Sequence, residues 1–551
     1  MGLAMRISLL PSAALVVAAC AGHRAGVPAV PPMAMGSAAF PAADSATASH
    51  LLNRLAFGPR PGDIAHVEAV GIGGWLDEQL DPARIPDSAG EAALAPYGEA
   101  LRDPTDLLHD FAPAPPTQLD SADRRRMQIG LRDLAQDVMM SALARHVASD
   151  RQLLEVMTDF WTNHFNVFLQ KGADRFLTAD FVERAIRPNA LGRFEDLLVA
   201  TAEHPAMLIY LDNAESVAPG SRPPARGRAF AFGSGRPRFA PMFPTPAARA
   251  AAARAPTGIN ENYGRELLEL HTLGVDGGYT QQDVIEVARI FTGWSISHPR
   301  AMGPGHYGFQ YNAWAHDDGA KEVLGVRYDG GGMKEGLRLL HFLAESPATA
   351  RHLSHELCAR FVADEPPDGC VDAAVAAWQA THGDIRAVLR AIVSSPDFWA
   401  PENRHAHFKT PLEFVASAVR AVGGDPDTTV RLLGALRQLG ELPFMRLTPD
   451  GYPETAAFWM NSGAILTRMN LALALASGRL PGVASDLDTL IPLTDDREAL
   501  VRRVNAAVLG GQASDRTLET IRQQIADLPN PRNARAMAVA LALGSPDFQK
   551  E

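Results

Sequence analysis

The first chemical question is posed by two histidines. Across residues 153–168, a wheel of about 100° per residue puts His164 with Leu153, Met157 and Phe160. Glu155, Thr158, Asp159, Thr162, Asn163 and Asn166 fall on the other side. From Asn262 to Leu273, His271 falls with Tyr263, Leu267 and Leu268, opposite a stripe of Asn262, Arg265, Glu266, Glu269 and Thr272. Both rings are expected to point inward. Imidazoles converging from separate helices could share a divalent metal or relay a proton, because a neutral ring offers one nitrogen while the other fixes its orientation. Carboxylates of the polar stripes could supply oxygen ligands or a general base. On this reading His164, His271, Asp159 and Glu266 are catalytic, and His164, His271, Glu266 and Glu269 bind a divalent ion whose identity stays open. The plainer alternative is two core histidines that each satisfy a carbonyl, and two solvated helix faces.

No familiar signature narrows the reaction. HExxH, GxSxG, a Walker loop and CxxCH are all absent, which leaves sites assembled from scattered residues. Asp212 with Asn213, Asn260 with Glu261, and His316 with Asp317 sit at segment junctions, where short polar side chains cap helices or turns. Trp161 and Trp294 read as core aromatics. A formal net charge of −12 argues against a general nucleic-acid binder, which needs a clustered basic surface.

The elements that must position these residues are mostly helices. Apolar residues recur three and four apart around 123–148, 150–168, 174–187, 260–274, 281–292, 334–345, 348–363, 371–380, 384–395, 410–422, 454–476 and 496–547. Ser49 is expected to cap a short helix carrying Leu51, Leu52 and Leu55, and a second helix starts after Pro61 and stops at Gly71. AEHPAM at 202, AESPAT at 344, VSSPDF at 393 and LGSPDF at 543 each follow a helical run. Proline suits the first turn of the next helix with Ser or His at its cap, so these read as helix–turn–helix joints. Between 306 and 328, Phe309 and Tyr311, then Val323, Val326 and Tyr328, flank the turn-rich AHDDGAK as a β-hairpin would.

With 551 residues and 46% hydrophobic content, the chain can bury a large core without a metal or disulfide staple. Its start carries one basic residue, Arg6, then an apolar stretch from Ile7 to Ala19, too short to span a bilayer. Residues 1–20 read as a signal peptide, and Val17, Ala18, Ala19 and Cys20 resemble a lipobox whose cysteine would carry a lipid anchor. Residues 21–46 suit a flexible tether, and 47–551 a helical domain. Beyond Cys20 only Cys358 and Cys370 remain; an oxidising compartment lets them pair if their Cα atoms approach within about 7 Å. Between 217 and 256 lies a Pro/Ala/Arg-rich insertion with seven arginines and no acid, expected to be a disordered loop that either has no ligand or touches anionic surfaces.

Several segments together resemble the bacterial family called domain of unknown function 1800. They are RLAFGPRPGDIAHVEAVGIGGWLDEQLDP from Arg54, MTDFWTNHFNVF from Met157 and YLDN from Tyr210. NENYGRELLELHTLGVDGGYTQQDVIEVARIFTGWS from Asn260, HDDGAKEVLG from His316, ESPATARHL from Glu345 and FKTPLEFV from Phe408 complete the set. The resemblance implies a largely helical, secreted or envelope protein, often encoded beside a secreted sulfatase-like family, and no established activity. This chain departs from the pattern at the arginine-rich insertion and at His355 and Glu356.

The expected fold is therefore all-α, a large multi-helix bundle-like body with one small β-hairpin, with two subdomains flanking the insertion as an option. The expected function is that of an exported or lipid-anchored envelope protein, in the periplasm, at the outer membrane or secreted. It would act as a scaffold or accessory factor for a secreted partner, such as a sulfatase-like protein, or for a surface polymer. The alternative is an extracytoplasmic, metal-assisted hydrolase built on the His/carboxylate set.

Overall fold

The computed structural model describes residues 40–111, 119–221, 258–297, 306–426, 431–485 and 487–551. The signal peptide and lipobox, the tether up to residue 39, and the insertion from residue 222 onward lie outside the described residues.

Folding begins earlier than Ser49. Helix α1 spans Ser45–Leu55 and is capped by Asp44, which accepts from Thr47 N at 2.9 Å while Thr47 Oγ1 accepts from Asp44 N at 3.0 Å. That reciprocal pair satisfies two end groups at once and outcompetes Ser49, which is buried inside the helix. The helix after Pro61 does break at Gly71 as expected: α2, Asp63–Leu80, is two helical segments joined across Gly71, whose φ of 79° is not helical. All four proline joints start helices: His204, Ser346, Ser395 and Ser545 occupy the caps, each followed by proline in the first turn.

Helix α3 (Ser121–Ala148) leads into α4 (Gln152–His164), which buries Leu153, Val156, Met157, Phe160 and Trp161 on its apolar side. Further on come α5 (Phe194–Glu203) and α6 (Asn262–Glu269). Then follow α7 (Met333–Ala344), α8 (Pro347–Phe361) and α9 (Asp368–Thr381). Helix α10 (Pro411–Ala421) is buried at every residue, the mark of a helix at the centre of a large body. It starts with a Thr410–Glu413 capping box that fixes Glu413 deep inside. Helix α11 (Ser462–Ala476) packs against α14. The long periodic run 496–547 divides into α12 (Arg497–Val508), α13 (Asp515–Ile525) and α14 (Pro531–Gly544), interrupted at Gly510, Gly511 and Pro531.

The strands are few and short, in keeping with a mostly helical fold, but their pairing differs from the hairpin expected. Strand β1 (Trp294–Ser297) pairs antiparallel with β2 (Gly308–Tyr311), and β3 (Lys321–Val323) with β4 (Val326–Tyr328). The β3–β4 turn is Leu324–Gly325, both at positive φ, the two-residue geometry that matches strand twist. Phe309 instead lies against Trp294, with ring centres 5.1 Å apart. A third pair, β5 (Asp425–Pro426) with β6 (Val483–Ala484), completes the set among the described residues.

Cys358 and Cys370 form a disulfide joining α8 to α9, with Cα atoms 6.3 Å apart. On the near side of the arginine-rich insertion Val217 N donates to Gly258 O at 3.1 Å, so its flanks touch. No helix among the described residues is long and apolar enough to cross a membrane.

Candidate functional site

Helix α4 presents two chemically different sides, and each meets a polar cluster. On one, His164 is packed between Trp161 and Phe165, its side chain 6% exposed. Its Nδ1 lies 3.0 Å from Glu356 Oε2, and its Nε2 lies 3.4 Å from the backbone oxygen of His271. His271 is fully buried, its ring centre 6.0 Å from that of His164 and 4.9 Å from that of Phe165. Burial, with His164 adding to it, drives the His271 imidazole well below the usual histidine range, so it stays neutral. The two rings are thus neighbours, and α8 adds His352, whose Nε2 lies 3.4 Å from Glu356 Oε1.

The carboxylates expected beside them go elsewhere. Glu269 accepts from Tyr279 OH at 3.2 Å, and Glu266 lines a surface groove with Lys171, Tyr210 and Asp212. Burial and the neighbouring Glu269 raise its carboxyl. The four-ligand set His164, His271, Glu266 and Glu269 is therefore not assembled. Two groups of described residues bring three ligand atoms within 4.8 Å of one another, Glu195–His341–Glu345 and His407–Glu413–Glu551, and neither contains any of the four. The reason was visible on the wheel: the glutamates leave α6 on the side opposite His271, which itself lies beyond the helix end.

The other side of α4 lines a partly enclosed cavity of about 70 Å³, enough for a few water molecules. Asp159 forms part of its wall with Arg360 from α8, Glu413 from α10, and Glu441 and Glu454 from the chain between α10 and α11. At one end Arg187 closes a bidentate pair with Glu155, at 2.6 and 2.5 Å. These side chains form a buried ionic network. Arg360 reaches Glu413 at 2.5 Å, Glu551 at 3.6 Å and Glu454 at 3.7 Å. His407 lies 3.3 Å from Glu413 and 3.2 Å from Asp364, and Lys409 lies 3.7 Å from Glu551. The cations of the His407–Glu413–Glu551 group are thus the protein's own Arg360 and Lys409.

Electrostatics divides the acids of the network into two kinds. Burial alone would raise Glu413, but Arg360 and His407 outweigh it and hold the carboxylate well below its usual range. Burial would likewise lower His407, yet Glu413 and Asp364 push it up to about 9. For Asp159 burial prevails over Arg360 and raises the carboxyl to about 7, and Glu454 is raised to about 7 for the same reason. Burial also raises Glu441 to about 8, against a hydrogen bond from Leu412 N. One cavity therefore holds a locked carboxylate beside carboxyls poised to give or take a proton near neutrality, the separation that acid–base sites use.

A strap formed by residues 443–454 closes the cavity over α4. The Asn163 side-chain amide donates to Tyr452 O at 2.8 Å and accepts from Tyr452 N at 2.6 Å. Asn166 donates to Arg446 O at 3.1 Å and Thr448 O at 2.9 Å, and Tyr210 OH donates to Leu447 O at 2.8 Å. Gly451, at φ 68°, lets the strap approach: a Cβ there would sit 2.4 Å from Asn163 O, which no other residue tolerates.

Sequence reasoning identified Asp159 and the Asn163–Asn166 stripe but read that face more plainly as solvated, since the wheel carries no record of the strap. It missed Arg360, Glu413, His407, Glu441 and Glu454. The one local signal was Thr410-x-x-Glu413 ahead of an apolar run, a capping box that anchors a glutamate at a buried helix start.

No curated protein and no solved structure matches the chain significantly. The sequence pattern of the family described as protein of unknown function DUF1800 matches residues 50–550, nearly the whole chain, and the protein belongs to that family.

Proposed function

We propose that the protein is an extracytoplasmic acid–base enzyme, hydrolytic in class, whose reacting centre is the Asp159–Glu454 wall of the cavity. The observation that carries this reading is the poise of Asp159 and Glu454 at about 7 on a water-sized cavity that also holds the fixed charges of Arg360 and Glu413. A protonated carboxyl can donate to a leaving group, and its ionised neighbour can accept a proton from an attacking water. Arg360 lies 3.7 Å from Glu454 and acts electrostatically on Asp159, and it favours negative charge developing in the transition state. The cavity admits only a small polar group, so the substrate presents an end or side branch. An exported location is supported by the apolar Ile7–Ala19 stretch ahead of Cys20 and by the Cys358–Cys370 disulfide, a bond favoured in oxidising compartments.

The test is a panel of chromogenic esters, phosphoesters, sulfate esters and glycosides assayed with the mature protein, its Asp159→Asn variant and its Glu454→Gln variant. Turnover that falls about 100-fold or more in either variant is expected. Turnover that survives both variants, or silence across the whole panel, refutes the enzyme reading.

A second reading, an accessory factor for a secreted partner, is favoured by one surface feature. Phe458, Met460, Ile465 and Leu466 are 50%, 44%, 40% and 63% exposed on the segment that follows the cavity wall. Large apolar side chains so close together in sequence suit a protein interface. Retention of a separately purified sulfatase-like neighbour by the wild type, lost in Phe458→Ser/Leu466→Ser, is the expected outcome of that reading.

A further inference from the structure

Away from the cavity, at the surface where the start of α5 meets the ends of α7 and α9, lies a second cluster with a chemistry of its own. Glu195 stands in the first turn of α5, His341 in the last turn of α7, and Glu345 at the cap of α7. His341 Nδ1 lies 3.1 Å from Glu195 Oε1. One ligand atom from each of Glu195, His341 and Glu345 lies within 4.8 Å of the other two. His382, the cap of α9, points its Nδ1 at Glu345 Oε2 across 2.9 Å.

The frame behind these side chains is rigid. Arg193 and Asp384 form an antiparallel bridge, with Phe194 N donating to Gly383 O at 2.9 Å and Ile385 N to Gly192 O at 3.0 Å. The bridge locks the start of α5 to the residues after α9, so Glu195 and His382 are held by one backbone zipper. His382 takes a left-handed conformation at φ 55°, a position that favours glycine, and its side chain is thereby directed at Glu345.

We propose that Glu195, His341 and Glu345 form a zinc-binding site, with His382 orienting the Glu345 carboxylate and the fourth coordination position facing solvent. Zinc bonds of about 2.0–2.2 Å in a tetrahedron put ligand atoms about 3.3–3.6 Å apart. The 3.1 Å separation of His341 and Glu195 is within a few tenths of that, and small rotamer changes close the rest. One imidazole with two carboxylates suits zinc, whereas calcium and magnesium require all-oxygen shells. Ligating carboxylates are themselves held by hydrogen bonds from outside the coordination shell, the place His382 takes toward Glu345.

The present counter-ion is loosely held. Arg193 lies 3.7 Å from both Glu195 and Glu345, beyond hydrogen-bond reach, and is 41% exposed. A divalent ion competes with it directly. Zinc affinity is therefore limited by a positive charge that solvent can accommodate elsewhere.

The experiment titrates zinc chloride into tag-free, chelator-treated protein by calorimetry, alongside His341→Ala, Glu195→Gln, His382→Asn and Arg193→Gln. Asparagine at 382 tolerates the left-handed backbone, and each variant is first checked for an unchanged metal-free melting curve. Expected results are one zinc per chain and loss of that binding in both His341→Ala and Glu195→Gln. Binding weakens about 10-fold in His382→Asn and tightens several-fold in Arg193→Gln. Cobalt in place of zinc gives the intense visible bands of a tetrahedral ion. The inference is overturned by the absence of stoichiometric zinc, by zinc that His341→Ala and Glu195→Gln both leave in place, or by equal competition from calcium. None of these results depends on catalysis at the cavity.

Discussion

Replacing Asp159 with asparagine should make the protein more stable at neutral and alkaline pH. Burial raises this carboxyl from its ordinary 3.8 to about 7. At about 1.4 kcal/mol per pH unit, that distance corresponds to about 4 kcal/mol. The folded value lies above the unfolded one, so the associated stability is fully present below pH 3.8 and declines as pH rises toward 7, where the unfolded chain releases its proton first. Asparagine has the same shape and never ionises, so it escapes the decline. For 551 residues, an unfolding entropy of about 2 cal/mol/K per residue gives a rise in Tm of about 3–4 °C. Urea denaturation and thermal scans at pH 4.5 and pH 8 are the assays. The variant should approach wild type at the lower pH and exceed it at the higher one, while any hydrolytic turnover disappears. A variant less stable at pH 8, or one whose stability follows wild type across the whole pH range, refutes the argument that burial prevails over Arg360 at this carboxyl.

Two other perturbations address the frame of the site. Arg360→Met removes the cation 2.5 Å from Glu413, leaving Glu454 without its cation and Glu413 with His407 alone, so denaturant unfolding should show a loss of about 3–5 kcal/mol. The double change Cys358→Ser/Cys370→Ser opens a disulfide with a sequence separation of 12. Loop-closure entropy for that length is about 3 kcal/mol, so a comparable drop in denaturant stability is expected, mirrored by wild type under reductant.

Most of the helices were legible because each buries one stripe on a regular period, and because Ser–Pro and His–Pro joints mark where one ends and the next begins. The strand pairing was not: Phe309 alternates like a hairpin residue, but its strand partner Ile296 lies upstream, just past where the sequence reads as a helix end. The inward aim of His164 and His271 followed from local periodicity. The cavity could not follow, because it depends on a strap from residues 443–454 crossing α4, a pairing nearly three hundred positions apart that no local pattern encodes. Arg360 sits on α8 where an amphipathic reading expects a solvated charge. Only the arrival of Glu413, Glu454 and Glu551 makes that position tolerable inside the protein.

The bond between Val217 and Gly258 has an engineering corollary. Two banks already joined by the main chain form a natural port, where residues 222–257 can be exchanged for a short glycine bridge, a fluorophore-labelled cysteine peptide or an affinity epitope. A cargo grafted there would report on the molecule's surroundings while the helical body folds as before.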